Sequence, residues 1–380
     1  MATRSRAVVL PEIGESLELR EFDVPDPGDM AAIVNVEYGG ICGTDLHLMK
    51  GRLPIPTPLV LGHEATGRIH RLGPGLEKDV LGQPLSEGDA VTWQNSIPCG
   101  RCFYCLVEEE PTLCTGSRRV YGINQGADDW PHLSGGWSDY MYLHPGTVIV
   151  KLPEGVRTQD VVALGCAGPT AVHGVLDEVQ VRFGDTVAVQ GSGPVGIAAA
   201  IYAQLAGAGK VILVGGPAGR LDQAADLGIG QVHIDVFETP DPAERLELVQ
   251  DETPRGEGAD VVIECTGVPD AVAEGIDLCR PNAQYCVLGQ YTDRGDSSFN
   301  PHQITRKQLH VHGSWGFSAR HYIGYVQSLP RLLQDFDLAG LVSSYPLEEA
   351  NTAVEDVANG RVMKAALHVG ASASESHAHG

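Results

Sequence analysis

Blocks of apolar residues separated by glycine-rich and polar segments mark the middle of the chain. The apolar run Thr186–Gln190 precedes the loop GSGPVG at 191–196, and an alanine-rich stretch then leads to a second apolar run at 211–214. Short apolar runs bounded by glycine are typical of buried strands. The order of strand, loop, helix and strand predicts one unit of a parallel sheet.

Apolar runs at 259–267 and 284–290 continue this pattern, with helical stretches between them. The fold class predicted for this part is α/β, with a doubly wound parallel sheet of the Rossmann type. The chain has 380 residues, a length that favours two domains because single cores stop growing at roughly 250–300 residues.

The glycine loop has the G-x-G-x-x-G spacing of a dinucleotide fingerprint, in which glycines permit a tight turn and close approach of a pyrophosphate. The candidate cofactor-binding residues here are Gly191, Gly193, Pro194, Val195 and Gly196. The acid that usually ends the second strand is replaced by Gly215 and Gly216, and Arg220 lies close enough to meet a ribose hydroxyl or a 2′-phosphate. We therefore expect NAD as the cofactor, with NADP as the alternative.

Charge and targeting signals narrow the class of partner. Lys and Arg number 26 against 49 Asp and Glu, a net charge of −23, which disfavours binding to nucleic acid. The N-terminus has no signal-peptide pattern, and no run approaches the roughly 20 apolar residues of a membrane span. We expect a cytoplasmic protein with no nucleic-acid or membrane partner.

Four of the nine cysteines fall in the segment CGRCFYCLVEEEPTLC. Clustered thiols in a protein without an export signal bind metal more often than they form disulfides. Cys99, Cys102, Cys105 and Cys114 would complete a tetrahedral Zn²⁺ shell with no open position, so such a site is structural. An iron–sulfur cluster and unliganded thiols are the alternatives.

Cys42, His63 and Cys166 stand in three separate segments, CGTDLH, GHE and LGCAGPTAVHG. Two thiolates and one imidazole suggest a catalytic zinc that keeps one position open. Asp45 is suited to accept a hydrogen bond from the His63 ring.

These segments, with the cysteine lobe, GGWSDY, GSGPVG, ECTG and VLG in the same order, make the chain resemble the zinc-dependent medium-chain dehydrogenase/reductases, the alcohol dehydrogenase superfamily, from about Ala7 to Val369. The resemblance implies a discontinuous, mainly β, GroES-like catalytic domain at 1–167, with its structural-zinc lobe at 99–114. It also implies an NAD(P)-binding Rossmann domain at 168–314, with the active site in the cleft, a return to the catalytic domain at 315–370 and a disordered tail at 371–380.

The resemblance also assigns roles. Cys42, His63 and Cys166 match the catalytic zinc ligands, the four clustered cysteines match the structural zinc, and Glu64 matches an acid near the metal. Thr44 and His47 match a proton relay. Further cofactor contacts are Thr266, Leu288 and Gly289, and the residues matching the alcohol pocket are Leu53, Asn95, Trp137, Gln290 and Trp315. For each tryptophan, core packing is the alternative.

The function implied is interconversion of an alcohol and its ketone or aldehyde by hydride transfer to NAD(P). Relatives acting on polyols or threonine usually carry an acid at the third ligand, so Cys166 favours a hydrophobic secondary or cyclic alcohol. A polyol or threonine dehydrogenase is the alternative, followed by a zinc-free reductase and a zinc-ribbon binding protein. We expect a homodimer or homotetramer paired through a sheet edge near 284–290.

Overall fold

Mainly antiparallel strands make up the chain before Cys166. The computed structural model describes residues 3–369, so the predicted tail 371–380 lies outside the described residues. The strands of this part are β1 (Arg4–Leu10), β2 (Glu18–Asp23), β3 (Ala32–Ile41), β4 (Leu59–Val60), β5 (Ala65–Leu72), β6 (Ala90–Trp93), β7 (Ser96–Ile97), β8 (Arg119–Val120), β9 (Tyr140–Leu143) and β10 (Ile149–Lys151). Its helices are α1 (Gly43–Met49), α2 (Phe103–Leu106) and α3 (Thr158–Leu164), with a 3-10 turn at Pro111–Leu113.

Strands and helices alternate in the next part. The strands are β11 (Thr186–Gln190), β12 (Lys210–Gly215), β13 (Val232–Asp235), β14 (Ala259–Glu264), β15 (Cys279–Val287) and β16 (His310–Gly313). The helices are α4 (Ala167–Ala171), α5 (Pro194–Leu205), α6 (Ala218–Asp226), α7 (Pro242–Asp251), α8 (Pro269–Leu278) and α9 (His302–Lys307), with a π-helix at Val172–Glu178.

The last part holds α10 (Ala319–Asp335), β17 (Val342–Pro346), α11 (Ala350–Ala358) and β18 (Lys364–His368), with 3-10 turns at Leu338–Leu341 and Leu347–Glu349. Two compact units result. The first runs to Cys166 and is completed by Ser318–Leu333 and the chain from Leu338, whereas the second is Ala167–Phe317 with Gln334–Asp337.

In the first unit, the sheet order is β10-β6-β5-β3-β18-β17, with β9 also paired to β3, and a smaller sheet has the order β2-β1-β4. Strand β18, which returns from the C-terminal part, pairs antiparallel with β3, placing Ala365 opposite Ile41. This pairing brings Lys364 at the start of β18 to the end of β3, where the chain enters α1.

In the second unit, six strands form one parallel sheet in the order β13-β12-β11-β14-β15-β16. Because every strand runs the same way, the loops that follow β11, β12, β14 and β15 all lie at the carboxyl ends of the strands. The core between sheet and helices is apolar, with Ala188, Ile212 and Val262 fully buried. The predicted α/β class, with one parallel-sheet unit and one mainly β unit, is confirmed.

Strand β11 has the bounds expected from the apolar pattern, but β14 ends at Glu264, earlier than the predicted run. Residues 265–267 turn instead of continuing, because the Glu264 carboxylate binds the amides of Thr266 and Gly267. The expected dimer edge near 284–290 is wrong, since β15 is paired on both sides. The edge strand is β16, which is short and has polar residues, a pattern that does not predict a strand.

None of the helices within residues 3–369 has the length and apolar character needed to span a membrane.

Candidate active site

Cys42 lies between the end of β3 and the start of α1 and caps that helix. Its Sγ accepts a hydrogen bond from the Thr44 amide at 3.2 Å, and its own amide donates to Asp45 Oδ2 at 2.9 Å. This reciprocal arrangement is a capping box. It fixes the thiol and the Asp45 carboxylate on the same turn.

His63 lies between Cys42 and Asp45. Its Nε2 is 3.2 Å from Cys42 Sγ, and its Nδ1 is 3.1 Å from Oδ1 of Asp45, a residue that is fully buried. Because a carboxylate only accepts, the proton belongs on Nδ1, and Nε2 is left as a metal ligand. Burial disfavours the imidazolium, yet Cys42 and Asp45 together raise the pKa of His63 well above its ordinary value.

Cys166 follows α3 after Gly165, whose φ of +49° is one that side chains rarely adopt. A Cβ at Gly165 would lie 2.5 Å from Cδ of Glu64, so only glycine lets the chain pass this carboxylate. The Cys166 amide donates to Glu64 Oε1 at 2.8 Å. The turn therefore places the second thiol of the site, that of Cys166, 3.9 Å from Cys42 Sγ.

The ligand atoms of Cys42, His63, Glu64 and Cys166 all lie within 4.8 Å of one another. Contact with Cys166 lowers the pKa of Cys42 well below its ordinary value, while the same contact and burial raise the pKa of Cys166. A bound cation would displace the thiol protons of this pair. Two thiols and an imidazole fit a Zn²⁺ site with an open position.

Lys364 is the residue of this site that the sequence did not reveal. Its ammonium forms an ion pair with Glu64 Oε2, and the two side chains are only 1% and 2% exposed. The pKa of Lys364 is raised because Glu64, Cys42 and Cys166 outweigh the effect of burial. The only signal in the sequence was a single lysine at the head of the apolar run AALHV.

Thr44 and His47, the predicted relay residues, lie on α1 immediately after Cys42. Thr44 is half-buried, and so is His47. The His47 ring also meets a residue that was not singled out, because Arg52 Nη1 is 3.1 Å from its Nδ1.

The four clustered cysteines also converge, with all four Sγ atoms within 4.8 Å of one another. Cys102 Sγ is 3.5 Å from Cys105 Sγ, close to the roughly 3.8 Å that a tetrahedral Zn–S shell requires. The backbone amide of Thr115 lowers the pKa of Cys102 to about 5. The eight residues between Cys105 and Cys114 include the 3-10 turn at Pro111–Leu113. The donor set fits a closed zinc site.

In the second unit, the fingerprint loop joins β11 to α5. A Cβ at Gly196 would lie 1.8 Å from the Gly191 carbonyl oxygen, whereas one at Gly193 would meet no protein atom within 4 Å. Gly196 therefore lets the helix pack on the loop, and Gly193 leaves open space above it. Pro194 and Val195 form the first turn of α5, and this cradle fits a dinucleotide pyrophosphate.

Strand β12 ends at Gly215, and Gly216 follows it. The Ser192 hydroxyl donates to the Gly216 carbonyl and accepts from its amide, both at 2.9 Å. A Cβ at Gly215 would lie 2.6 Å from the Ser192 amide nitrogen, so the position usually held by an acid is filled by Ser192. Arg220 lies in the first turn of α6, and burial lowers its pKa.

The remaining cofactor candidates also lie at the carboxyl ends of the strands. Thr266 follows β14, and Leu288 and Gly289 follow β15, with both of their amides donating to the Glu264 carbonyl, at 3.0 and 2.9 Å.

The predicted pocket residues separate into two groups. Leu53 and Asn95 lie in the first unit, whereas Gln290 and Trp315 lie in the second. Trp315 is 44% exposed and stacks on Tyr291 at 4.9 Å. Trp137 is corrected to a core residue: it is fully buried in an apolar cluster, and its indole donates to the Gly40 carbonyl at 2.9 Å.

Two family models match the chain. The alcohol dehydrogenase GroES-like domain matches residues 28–154, and the zinc-binding dehydrogenase domain matches residues 194–331. The chain is 33% identical to 5-exo-hydroxycamphor dehydrogenase of Pseudomonas putida over 95% of this chain and 97% of that one. It is 34% identical to sorbitol dehydrogenase of Halalkalibacterium halodurans, over 78% and 79%.

A solved alcohol dehydrogenase structure has the same fold. Alcohol dehydrogenase from Thermotoga maritima superimposes with a TM-score of 0.90 at 32% identity, covering 97% of this chain and 100% of that one. The chain therefore belongs to the zinc-dependent medium-chain alcohol dehydrogenase superfamily and is an oxidoreductase of CH–OH groups that uses zinc and NAD(P).

Proposed function

We propose that the chain interconverts a largely apolar secondary or cyclic alcohol and its ketone at a zinc held by Cys42, His63 and Cys166. The observation that carries this proposal is the convergence of these three donors beside Asp45 and Glu64. Zn²⁺ at such a site supplies Lewis acidity that favours deprotonation of an alcohol, and NAD(P) supplies the hydride acceptor.

The chain's own residues hold the donors in place. Asp45 keeps the proton of His63 on Nδ1, and Glu64 accepts from the Cys166 amide. Lys364 balances the Glu64 charge. Hydrogen bonds from residues outside the ligand set fix the orientation of the ligands and tune their basicity.

Thr44 and His47 are proposed to carry the alcohol proton to solvent. A hydroxyl both accepts and donates, so Thr44 can pass a proton on, and His47 is a side chain suited to release it. Thr44→Ala should therefore lower kcat about 100-fold or more with zinc content unchanged. Thr44→Ser, which keeps the hydroxyl, is the control, and a near wild-type kcat in Thr44→Ala would contradict the relay.

The four-cysteine site is proposed to hold a second, structural zinc with no open position. Metal analysis should find two zinc ions per chain.

The choice of coenzyme is proposed to favour NAD modestly over NADP. No carboxylate stands at Gly215 to repel a 2′-phosphate, and Ser192 occupies the space that such a side chain would need. Gly215→Asp should therefore destabilise the loop, because its Cβ would lie too close to the Ser192 backbone nitrogen. A preference of the wild type for NADP above about tenfold in kcat/KM would reverse the proposal.

The substrate class is proposed from the third ligand and from the residue types that the resemblance assigns to substrate binding. Leu53 and Trp315 offer apolar surface, Asn95 and Gln290 offer polar groups, and Cys166 stands where an acid is usual in polyol enzymes. The 34% identity to a sorbitol dehydrogenase supports the alternative of a polyol. Cyclic alcohols and sorbitol-like polyols screened with both coenzymes decide between them. A higher kcat/KM for polyols would overturn the apolar assignment.

We also propose a cytoplasmic homodimer or homotetramer. All nine cysteines are free, as expected in a reducing compartment. Strand β16 ends the parallel sheet with Val311 47% exposed, which leaves a strand edge for a second copy. The edge supports pairing through β16 in place of 284–290.

A further inference from the structure

The space beside Gly216, which follows β12, is filled by residues from the end of β13 and the loop after it. A Cβ at Gly216 would lie 2.7 Å from Cδ2 of Phe237 and 3.0 Å from Oδ1 of Asp235. An aspartate holds its own carboxylate oxygens about 2.4 Å from its Cβ. The oxygen of Asp235 is therefore nearly as close to Gly216 as the carboxylate of an acid at this position would be.

Asp235 reaches this place from the neighbouring strand. It is the last residue of β13 and is paired with Gly215 in the parallel register of β12 and β13. Its Oδ1 accepts from the Phe237 amide at 2.8 Å, and its carbonyl accepts from the Thr239 amide at 2.9 Å. An aspartate side chain that binds the backbone two residues on forms a turn of its own, so the carboxylate is held in one orientation.

Only one donor binds the Asp235 side chain within residues 3–369, the Phe237 amide, and no arginine, lysine or histidine in that range forms an ion pair with it. A carboxylate has about four sites that accept hydrogen bonds. The residue is half-buried, so a ligand can reach it. Asp235 therefore keeps an uncompensated charge and the capacity to accept further hydrogen bonds.

This carboxylate lies near the fingerprint loop, within the same compact unit. Ser192, in that loop, exchanges two hydrogen bonds with the Gly216 backbone, both at 2.9 Å. In dinucleotide-binding sheets the pyrophosphate lies over this loop, and an acid at the end of the second strand accepts from the 2′-hydroxyl of the adenosine ribose. Gly215 and Gly216 hold that place here without a side chain, so the carboxylate found there belongs to Asp235.

Arg220 is the rival determinant of coenzyme choice, since a guanidinium would attract a 2′-phosphate. It lies in the first turn of α6 and is half-buried. The carboxylate of Asp235 favours NAD, whereas the guanidinium of Arg220 favours NADP. Neutralising one or the other residue should therefore have opposite effects on coenzyme choice, and experiment can separate them.

We infer that Asp235 takes the role of the missing acid: its carboxylate accepts from the 2′-hydroxyl of the adenosine ribose and repels a 2′-phosphate. Asp235 is thereby the residue that gives the enzyme its preference for NAD. The inference rests on the proposed coenzyme choice and names the side chain behind it, which stands on β13 instead of β12.

Two coenzyme fragments, ADP-ribose and 2′-phospho-ADP-ribose, test this by titration calorimetry on the full chain at fixed salt. Neither fragment carries nicotinamide, so binding is measured apart from hydride transfer. The wild type should bind ADP-ribose about tenfold more tightly than its phosphorylated form. In Asp235→Asn, whose Oδ1 can still accept from the Phe237 amide, the ratio of the two Kd values should fall to about one, because the repelling charge is gone.

Asp226→Asn is the matched control, because it removes the same charge elsewhere in this unit. Asp226 is the exposed last residue of α6, about 12 Å along the helix from Ala218. This variant should keep the wild-type ratio. If Asp235→Asn does not fold, Asp235→Ser serves in its place, since a hydroxyl can accept from the Phe237 amide without carrying a charge.

A third fragment, ADP-ribose without the 2′-hydroxyl of its adenosine, tests the hydrogen bond to the carboxylate. The wild type should bind it about tenfold more weakly than ADP-ribose, since hydrogen bonds to charged groups are strong. In Asp235→Asn the same comparison should give a loss of about threefold or less. An equal loss in both proteins would contradict the hydrogen bond.

An unchanged ratio in Asp235→Asn, or an equal fall in Asp226→Asn, would overturn the inference, and so would a wild type that prefers the phosphorylated fragment. A ratio that changes in Arg220→Gln but not in Asp235→Asn would assign the choice to Arg220 instead. Each of these results leaves oxidation of alcohols by the wild type untouched. Conversely, a wild type that binds the fragments as expected but oxidises no alcohol contradicts only the proposed function.

Discussion

At the scale of single residues, Lys364 and Glu64 form an ion pair that is almost completely out of contact with water. Glu64 also accepts from the Cys166 amide, so the pair is connected to a candidate zinc ligand through one hydrogen bond. Removing one partner of a buried pair leaves the other charge uncompensated.

Lys364→Met should therefore lower the free energy of unfolding by about 3 kcal/mol or more and reduce zinc affinity at the Cys42 site. Thermal unfolding and zinc analysis check the two effects. Lys364→Arg keeps the charge and should lose less of both. Full stability and full zinc occupancy in Lys364→Met would show that Glu64 does not need its partner.

His144 predicts a dependence of stability on pH. It is buried beside Tyr142, with ring centroids 5.0 Å apart, and burial, with Arg119 adding to it, lowers its pKa to about 4. The unfolded chain takes up this proton near pH 6.5 and the folded chain only near 4. The contribution of neutral His144 to the free energy of unfolding is therefore fully present above pH 6.5 and is lost as the pH falls towards 4.

The loss should approach about 3 kcal/mol at most, and urea unfolding at pH 7.5 and pH 5 measures part of it. His144→Gln serves as the reference for acid effects elsewhere, such as protonation of zinc ligands. It should lose less stability than the wild type between the two pH values. Equal losses would exclude His144 as a source of acid sensitivity.

At the scale of elements, the fingerprint loop contains two glycines with different requirements. Gly196 packs against the Gly191 carbonyl, whereas Gly193 faces no protein atom within 4 Å and has an ordinary φ of −79°. Gly196 is therefore needed by the fold itself, whereas Gly193 is needed only if a ligand approaches the loop.

Gly196→Ala should separate α5 from the loop and lower the unfolding temperature, with NADH affinity falling as a consequence. Gly193→Ala should keep the unfolding temperature and still weaken NADH binding, about tenfold or more, because its methyl group would occupy the pyrophosphate approach. Thermal scans and NADH fluorescence compare the two variants. Unaltered NADH affinity in Gly193→Ala would place the coenzyme elsewhere.

At the scale of the whole molecule, β16 leaves one edge of the six-stranded sheet without a neighbour in the described chain. Val311 at its middle is 47% exposed. If two copies pair antiparallel about this strand, the two Val311 side chains come close together, and like charges there would oppose pairing.

Val311→Lys should therefore shift the protein towards the monomer, as measured by light scattering at micromolar concentration. Phe183→Lys is the matched control, because Phe183 is 94% exposed and precedes β11 instead of lying on the edge. A monomeric wild type, or a Val311→Lys variant that remains fully oligomeric, would argue against this edge.

The sequence alone determined the parallel sheet, the fingerprint loop and the two sets of metal donors, because each depends on local periodicity or on residue types with few other uses. It did not reveal Lys364 or the edge strand β16, and it placed Trp137 in a pocket. The physical reason is that these depend on partners far apart in the chain: Lys364 meets Glu64 from 300 positions away, and Trp137 is buried by strands that precede it by about a hundred residues. Burial and charge pairing of this kind come from tertiary packing, which has no periodic signal in the sequence.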